Sequence, residues 1–306
     1  MTQQGISEQR VDPLARGVWG VVATPFTDAG EIDEASLARL VQFYESVGAA
    51  GLTVLGVFGE AAALTAAERM QVLGVVAEHS RLPIVAGITS LATAPAISEI
   101  ENAQATVGDR LQAVMVQANS GSSAVVIEHL RRIHAATGAA VVLQDYPKSS
   151  GISISTDSLI AVVEASPFVS AVKAEAPPTA VAIARITASV EVSVFGGLGG
   201  QGLLDELAAG SAGAMTGFSF PEALVSCVSA WLAGDAEAAR AELVPYLPLI
   251  NFEQQPGIAL ALRKELFRRR GLFTSAAVRA PAVKFPNELD EIAADHLVEL
   301  DAQEVR

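Results

Sequence analysis

The chain has 306 residues, of which 51% are hydrophobic and 18% are charged, so it has the apolar content of a folded domain with a large core. Its formal net charge of −14 excludes the basic surface that a nucleic-acid-binding protein needs. The single cysteine, Cys227, excludes an internal disulfide framework and is typical of a reducing compartment. It lies in an apolar stretch, where we expect a buried structural thiol.

The first residues are polar, and no apolar run approaches the ~20 residues that a membrane helix requires. We therefore expect a cytoplasmic protein that has no signal peptide and does not bind a membrane.

Eight short apolar runs, many of them β-branched, follow one another along the chain. They cover residues 18–23, 52–57, 83–88, 113–117, 140–144, 169–173, 192–195 and 212–216. Such runs are typical of parallel strands that are buried on both faces. Amphipathic stretches separate them, and eight strand–helix units in sequence predict an α/β fold, a closed (β/α)8 barrel.

Two of the intervening stretches carry clear helix signals. Residues 33–47 place four apolar side chains on one helical face: Leu37, Leu40, Val41 and Tyr44. Residues 65–79 begin with Thr65, which is followed three positions later by Glu68, and this spacing predicts a capping box.

The strand pattern stops after Pro221, and four helices are predicted beyond it. They cover residues 222–232, 236–250, 257–270 and 288–300. No Pro/Gly/Ser-rich linker separates them from the barrel, so we expect a C-terminal helical extension packed on the barrel. The predicted organisation is an N-terminal arm over residues 1–16, the barrel over 17–222 and the extension over 223–306.

The active site of such a barrel lies at the carboxyl ends of its strands. The polar residues expected there are Thr24, Glu60, Thr89, Ser90, Gln117, Asn119, Gln144, Asp145, Lys173, Glu175 and Thr216. Lys173 ends an apolar run, where burial penalises the ammonium form and favours an amine that can attack a carbonyl. The alternative is a structural lysine paired with Glu175 or Glu60.

Other chemistries have no pattern in this sequence. The four histidines fall on helical stretches without metal-ligand spacing, so we expect neither a metal nor another cofactor. No G-x-G-x-x-G follows the first strand, and no nucleophile elbow is present. The glycine-rich residues 196–200, including Gly197, form either a tight turn or a loop whose backbone contacts substrate.

With these residues in place, the chain resembles the dihydrodipicolinate synthase and N-acetylneuraminate lyase superfamily of class I aldolase-like barrels. The resemblance runs from Gly17 to about Phe273. Its markers are GVVATPF from Gly20, GVFGEAAALTAAER from Gly56, AVKAEA from Ala171 and GSAGAMTGFSFPE from Gly210.

The resemblance implies roles for individual residues. The Schiff-base lysine of the family falls on Lys173, and its G-T-T-G-E loop falls on residues 56–60. That loop receives the substrate carboxylate, so Val57, Phe58 and Gly59 are expected to bind it through backbone N–H groups, helped by Thr24. Glu175, Gly197 and Thr216 are further candidates for substrate contact.

The fifth strand departs from the family, which usually has Y-N-x-P where this chain has Gln144-Asp145-Tyr146-Pro147. Tyr146 returns to the same face of the strand as Gln144, but ~6.6 Å further along. The arginine of the dihydrodipicolinate synthases falls on Ser149, which disfavours that activity. The Gln-Asp pair instead resembles the 2-keto-3-deoxy sugar-acid dehydratase branch, notably L-2-keto-3-deoxyarabonate dehydratase, whereas the G-x-F-G-E loop resembles hydratase-aldolases that release pyruvate.

The resemblance implies a lyase that forms an iminium between Lys173 and a 2-oxo acid and then removes water from a 2-keto-3-deoxy sugar acid. Glu60, Gln144, Asp145 and Glu175 are the candidates for moving protons, with Gln144 positioning a water. Glu60 has a structural alternative, as an acceptor for loop N–H groups. The rival functions are an aldolase that releases pyruvate, a dihydrodipicolinate synthase-like protein of altered activity, and a non-catalytic 2-oxo acid binding protein. We expect a homo-oligomer, a tetramer or a dimer.

Overall fold

Eight parallel strands close into a barrel in which each strand pairs with its sequence neighbours and β8 pairs with β1. The computed structural model describes residues 10–304, with side chains described over residues 10–300. The strands are β1 Gly17–Val21, β2 Gly51–Val54, β3 Ile84–Gly87, β4 Leu111–Gln117, β5 Val141–Asp145, β6 Val169–Ala174, β7 Ser193–Gly196 and β8 Gly213–Thr216. The predicted closed barrel is confirmed.

Helices connect the strands and cover the outside of the barrel. They are α1 Glu34–Ser46, α2 Ala66–His79, α3 Thr93–Val107, α4 Ser123–Thr137, α5 Pro147–Ser150, α6 Thr156–Glu164, α7 Thr179–Ser189 and α8 Leu203–Ala208. The four apolar side chains predicted to share a face of α1 are all buried. At the start of α2, the capping box between Thr65 and Glu68 is present as predicted.

Five helices follow the barrel: α9 Pro221–Leu232, α10 Ala236–Leu243, α11 Leu247–Glu253, α12 Ala259–Arg269 and α13 Asp290–Glu304. The single helix predicted over residues 236–250 is wrong, because it is interrupted by a 3-10 turn at Val244–Tyr246. Pro245 lies in that turn, and a proline within a helix lacks the N–H that the helix would use.

The C-terminal helices pack against the first and last strands of the barrel. One apolar cluster contains Val18 of β1 and Ala214 of β8 together with Leu224 of α9 and Leu262 of α12. This packing fixes α12 relative to the strands, which matters because α12 supplies side chains to the cavity described below.

The first nine residues of the predicted N-terminal arm and the last two of the predicted extension lie outside the described residues. The remaining part of the arm closes the amino-terminal end of the barrel, where the hydroxyl of Ser193 donates a hydrogen bond to the Leu14 carbonyl at 2.6 Å. Cys227 is fully buried on α9, and burial raises the pKa of its thiol to about 11. Within the described part of the chain, no helix has the length and apolar character to cross a membrane.

Candidate active site

A cavity of about 290 Å³ opens at the carboxyl end of the barrel. Six of the residues singled out from the sequence line it: Val57, Phe58, Gln144, Lys173, Glu175 and Thr216. They come from loops and strands far apart in the chain and meet because parallel strands present their carboxyl ends to one side.

Lys173 lies near the end of β6, directly between Gln144 of β5 and Phe195 of β7 in the register of the sheet. Its side chain is buried, and its Nζ lies 3.2 Å from Oε2 of Glu175. The same oxygen accepts a hydrogen bond from Nε2 of Gln144 at 2.7 Å. Of the two acidic partners considered for Lys173, the structure therefore supplies Glu175.

Glu175 is held in place by the backbone around it. Its N–H donates to the Asp145 carbonyl at 2.9 Å, which ties the residue after β6 to the end of β5. A Cβ at Gly197 would lie only 2.6 Å from Cδ of Glu175. Gly197 is not itself among the residues that line the cavity, but its lack of a side chain gives the carboxylate its room.

The loop after β2 offers unused backbone donors. Gly59 and Glu60 use their N–H groups within the loop, on the carbonyls of Gly56 and Val57. The N–H groups of Val57 and Phe58, in contrast, donate no hydrogen bond among the described residues. Two adjacent free amides at a cavity wall can receive a carboxylate.

This loop is held in an unusual backbone conformation. Leu55 and Glu60, at its two ends, have positive φ values of 62° and 52°. Left-handed backbone costs free energy in a residue other than glycine and is found most often at functional sites. The hydroxyl of Thr24 donates to the Gly59 carbonyl at 2.7 Å, so its hydrogen is used to hold the loop.

Glu60 faces a different neighbourhood from Lys173. Its Oε1 is paired with the ammonium of Lys264, a fully buried residue of α12, and its Oε2 accepts the N–H of Arg279 at 2.8 Å. Burial lowers the pKa of Lys264 to about 8. Glu60 lines an adjacent cavity of about 530 Å³, which shares Val57 and Gln144 with the smaller one.

Asp145 is separated from its neighbour Gln144 by the alternation of side chains along a strand. It does not line the cavity that Lys173 lines. The carboxyl is buried, and its Oδ1 has no hydrogen-bond partner among the described residues. Burial, and then the charge of Glu175, raises the pKa of Asp145 to about 6.

The glycine-rich residues 196–200 form a second loop at the cavity. The N–H of Gly199 donates to the Thr216 hydroxyl at 2.8 Å, which binds this loop to the end of β8. Leu198 has a positive φ of 51° and lines the cavity together with Gly199. In the described part of the chain, three residues other than glycine have a positive φ, and all three flank this site: Leu55, Glu60 and Leu198.

Sequence reasoning missed three lining residues with polar side chains, Arg263, Gln254 and Lys148, and assigned no function to Tyr146, which also lines the cavity. The expected return of Tyr146 to the face of Gln144 agrees with this position. Arg263 had no distinguishing signal, because α12 carries many charged residues and only its packing shows which of them are buried. In the described residues, no three side chains of His, Cys, Asp or Glu are grouped so as to hold a metal ion.

The sequence matches the dihydrodipicolinate synthetase family over residues 14–299. It is 32% identical to L-2-keto-3-deoxyarabonate dehydratase of Azospirillum brasilense, over 88% of this chain and 89% of that protein. It is 29% identical to 4-hydroxy-tetrahydrodipicolinate synthase of Methanothrix thermoacetophila, over 79% of this chain and 84% of that protein. The crystal structure of dihydrodipicolinate synthase from Rhodopseudomonas palustris superposes with a TM-score of 0.88 at 29% identity, covering 95% of this chain and all of the other.

Proposed function

This chain belongs to the dihydrodipicolinate synthetase family, whose members are class I lyases, and on that premise we propose that it removes water from a 2-keto-3-deoxy sugar acid through a Schiff base on Lys173. The observation that carries the proposal is the buried contact between Lys173, Glu175 and Gln144. It joins a nucleophile, a proton acceptor and a neutral amide in one cavity.

The reaction begins with the carboxylate of the 2-oxo acid on the free N–H groups of Val57 and Phe58. The Lys173 amine attacks the C2 carbonyl, and loss of that oxygen as water leaves an iminium. The iminium draws electrons from C3, so a proton on C3 becomes acidic. Because Lys173 must be unprotonated to attack, Glu175, at 3.2 Å, is the group that receives its proton and passes it to the departing C2 oxygen, so the carboxylate is free again when the iminium has formed.

Once the iminium has formed, Glu175 or a water beside it takes the C3 proton and gives an enamine. The enamine expels the hydroxyl on C4, which leaves as water with a proton returned from the same carboxylate. Gln144 donates to Glu175 and cannot itself act as a base, so its role is to orient the carboxylate and a water. With a pentonate, the C3=C4 iminium then isomerises: protons leave C5 and its hydroxyl and are added at C3 and C4, which converts the C5 alcohol to an aldehyde. Hydrolysis of the product iminium releases 2-oxoglutarate semialdehyde and regenerates Lys173.

The first experiment supplies a 2-keto-3-deoxy pentonate to the purified protein. Two coupled assays run in parallel, one with lactate dehydrogenase for pyruvate and one with a semialdehyde dehydrogenase for 2-oxoglutarate semialdehyde. We expect the semialdehyde without free pyruvate. Stoichiometric pyruvate without semialdehyde would reject dehydration and establish carbon–carbon cleavage instead.

Aldol cleavage is the second candidate because Tyr146 lines the cavity. In the family's aldolases a phenol accepts the proton of the C4 hydroxyl as the C3–C4 bond breaks, and Tyr146 is the phenol at this cavity. Burial raises the pKa of Tyr146, which makes its phenolate harder to form. We therefore place dehydration first.

We also propose that the chain assembles as a homotetramer built from dimers. Support comes from the family, whose members are typically oligomeric, and from exposed apolar side chains on the helices. These include Val125 of α4, Val181 of α7 and Val298 of α13. An interface between copies covers those of them that lie on it, and the main support is the family.

A further inference from the structure

Arg263 of α12 lines the same cavity as Lys173, with only 9% of its surface exposed. Two neighbours hold its guanidinium. Its Nε lies 3.3 Å from Oε2 of the fully buried Glu253, and its Cζ lies 5.1 Å from the centre of the Phe58 ring. The position of this cation is therefore set by the protein before any substrate binds.

The far edge of the guanidinium has no acceptor. Nε of Arg263 pairs with Glu253 by charge but has no hydrogen-bond partner, and neither Nη1 nor Nη2, each with two hydrogens, donates a hydrogen bond within the described part of the chain. Glu253 is already engaged by Ser219, whose hydroxyl and N–H both donate to it. A buried guanidinium with an open edge can accept a second carboxylate in the two-pronged geometry that arginine favours.

Gln254 adds an unused donor at the same place. Its Nε2 is buried without a hydrogen-bond partner among the described residues. A Cβ on Gly199 would collide with this nitrogen and would lie 3.0 Å from Nη2 of Arg263. The two donors therefore lie against one point of the glycine-rich loop, and a buried donor without a partner costs free energy unless a ligand satisfies it.

The charges of the cavity wall have the sign that an anion requires. Three cations line it, Lys173, Lys148 and Arg263, and Glu175 is the one carboxylate among the lining residues. Counted with Glu253, which is paired with Arg263, these groups are three cations and two carboxylates, an excess of one positive charge in a chain whose formal net charge is −14. The proposed position of the carboxylate next to the reacting carbonyl is at the loop amides of Val57 and Phe58, so Arg263 remains for a second anionic group.

We propose that Arg263 and Gln254 form a receptor for a carboxylate at the far end of the substrate. On this proposal, which rests on the proposed Schiff-base site, the preferred substrates are 2-oxo diacids, such as sugar diacids, over acids that end in a neutral group. Arg263 selects the substrate and takes no part in bond breaking.

The test compares two five-carbon acids, 2-oxoglutarate and 2-oxopentanoate, of which only the first has a distal carboxylate. Both can form the iminium with Lys173, and neither has a C4 hydroxyl to lose. Each is titrated against the full-length protein in the presence of borohydride, and the adduct is measured by intact mass. We expect half-maximal adduct at a concentration about 10- to 100-fold lower for 2-oxoglutarate, as charge-assisted hydrogen bonds imply. Equal concentrations for the two acids would overturn the inference.

Variants then assign the preference to a residue. Arg263→Met should bring the ratio of the two half-maximal concentrations close to one. Lys148→Met, which removes another cation from the same cavity, should leave that ratio unchanged. Arg263→Met leaves Glu253 without its partner, so if this variant does not fold, the double variant Arg263→Met with Glu253→Gln is used in its place. A preference that survives the loss of Arg263, or that disappears with Lys148, contradicts the assignment. An absence of any adduct with either acid would instead reject the Schiff base itself, and this inference with it.

Discussion

Nε2 of Gln144 donates a hydrogen bond of 2.7 Å to Oε2 of Glu175 inside the mouth of the barrel. The same oxygen lies 3.2 Å from Nζ of Lys173, so one carboxylate contacts both the proposed nucleophile and a neutral amide. The orientation of the Glu175 carboxylate therefore does not depend on substrate. A preformed arrangement of this kind lowers the cost of bringing a proton acceptor to the reacting carbon.

Covalent adduct formation tests the nucleophile. Borohydride added with pyruvate should attach one reduced ligand to Lys173, because this amine lies buried at the cavity beside a proton acceptor. The measurement is intact mass followed by peptide mapping. Lys173→Met should form no adduct, whereas Lys148→Met, which alters another lysine of the same cavity, should form it. An adduct mapped to Lys148 or Lys264 would contradict the assignment.

Gly197→Ala tests the position of Glu175 without changing a charge. The added Cβ would lie 2.6 Å from Cδ of Glu175 and 2.7 Å from its Cγ, so the carboxylate must move away from Lys173. We expect kcat to fall by about 100-fold, as for loss of a general base. Gly74→Ala is the control, because nothing lies within 4 Å of its Cβ and alanine favours helix α2. An unchanged kcat in Gly197→Ala would show that this placement of Glu175 is not required.

The buried pair of Glu60 and Lys264 tests whether Glu60 has a structural or a catalytic role. Lys264→Met leaves a buried carboxylate without its cation and should lower the free energy of unfolding by about 3–5 kcal/mol. Glu60→Gln combined with Lys264→Met removes both charges and should recover most of that loss, as measured by urea unfolding. A double variant that is stable and forms the pyruvate adduct but has lost dehydration would assign Glu60 to catalysis.

The pH dependence of stability tests Asp145. Its pKa, raised to about 6, exceeds the ordinary aspartate value of 3.8, so the folded protein holds this proton more tightly than the unfolded chain. Ionisation therefore reduces stability as the pH rises through about 6. Asp145→Asn removes this penalty. Its free energy of unfolding, relative to that of the unsubstituted protein, should therefore be higher by about 1 kcal/mol more at pH 8 than at pH 5. Urea unfolding at both pH values measures it, with Asp157→Asn as control, because the Asp157 carboxylate of α6 is exposed and its partner Arg185 is exposed as well. An equal gain at both pH values would contradict the burial argument.

Light scattering tests the assembly. The protein should have four times, or at least twice, the mass of the 31.6 kDa chain at micromolar concentration. Substituting Val298, an exposed side chain on α13, with Lys should shift the mass downward if that helix lies between copies. A monomer mass at all concentrations would reject both the tetramer and the dimer.

Much of the barrel could be predicted because its signals are local. A strand buried on both faces must be apolar throughout, and a helix on its surface must be apolar on one face, so the alternation of the two is visible in the sequence. The same logic indicates Lys173, a charged residue at the end of an apolar strand. The break in the helix predicted over residues 236–250 is also local, because Pro245 marks it in the sequence.

The sequence by itself determined the eightfold strand–helix order, the cluster of polar residues at the strand ends and the departure from the family at Gln144. Only the tertiary structure decided which charges meet. Lys173 is paired with Glu175, whereas Glu60, four residues after Gly56, is paired with Lys264 from a helix more than 200 positions away. Arg263 likewise reaches the cavity only because α12 packs on the strands. Ion pairs between distant segments depend on how whole elements dock, and no periodicity along the chain records that docking.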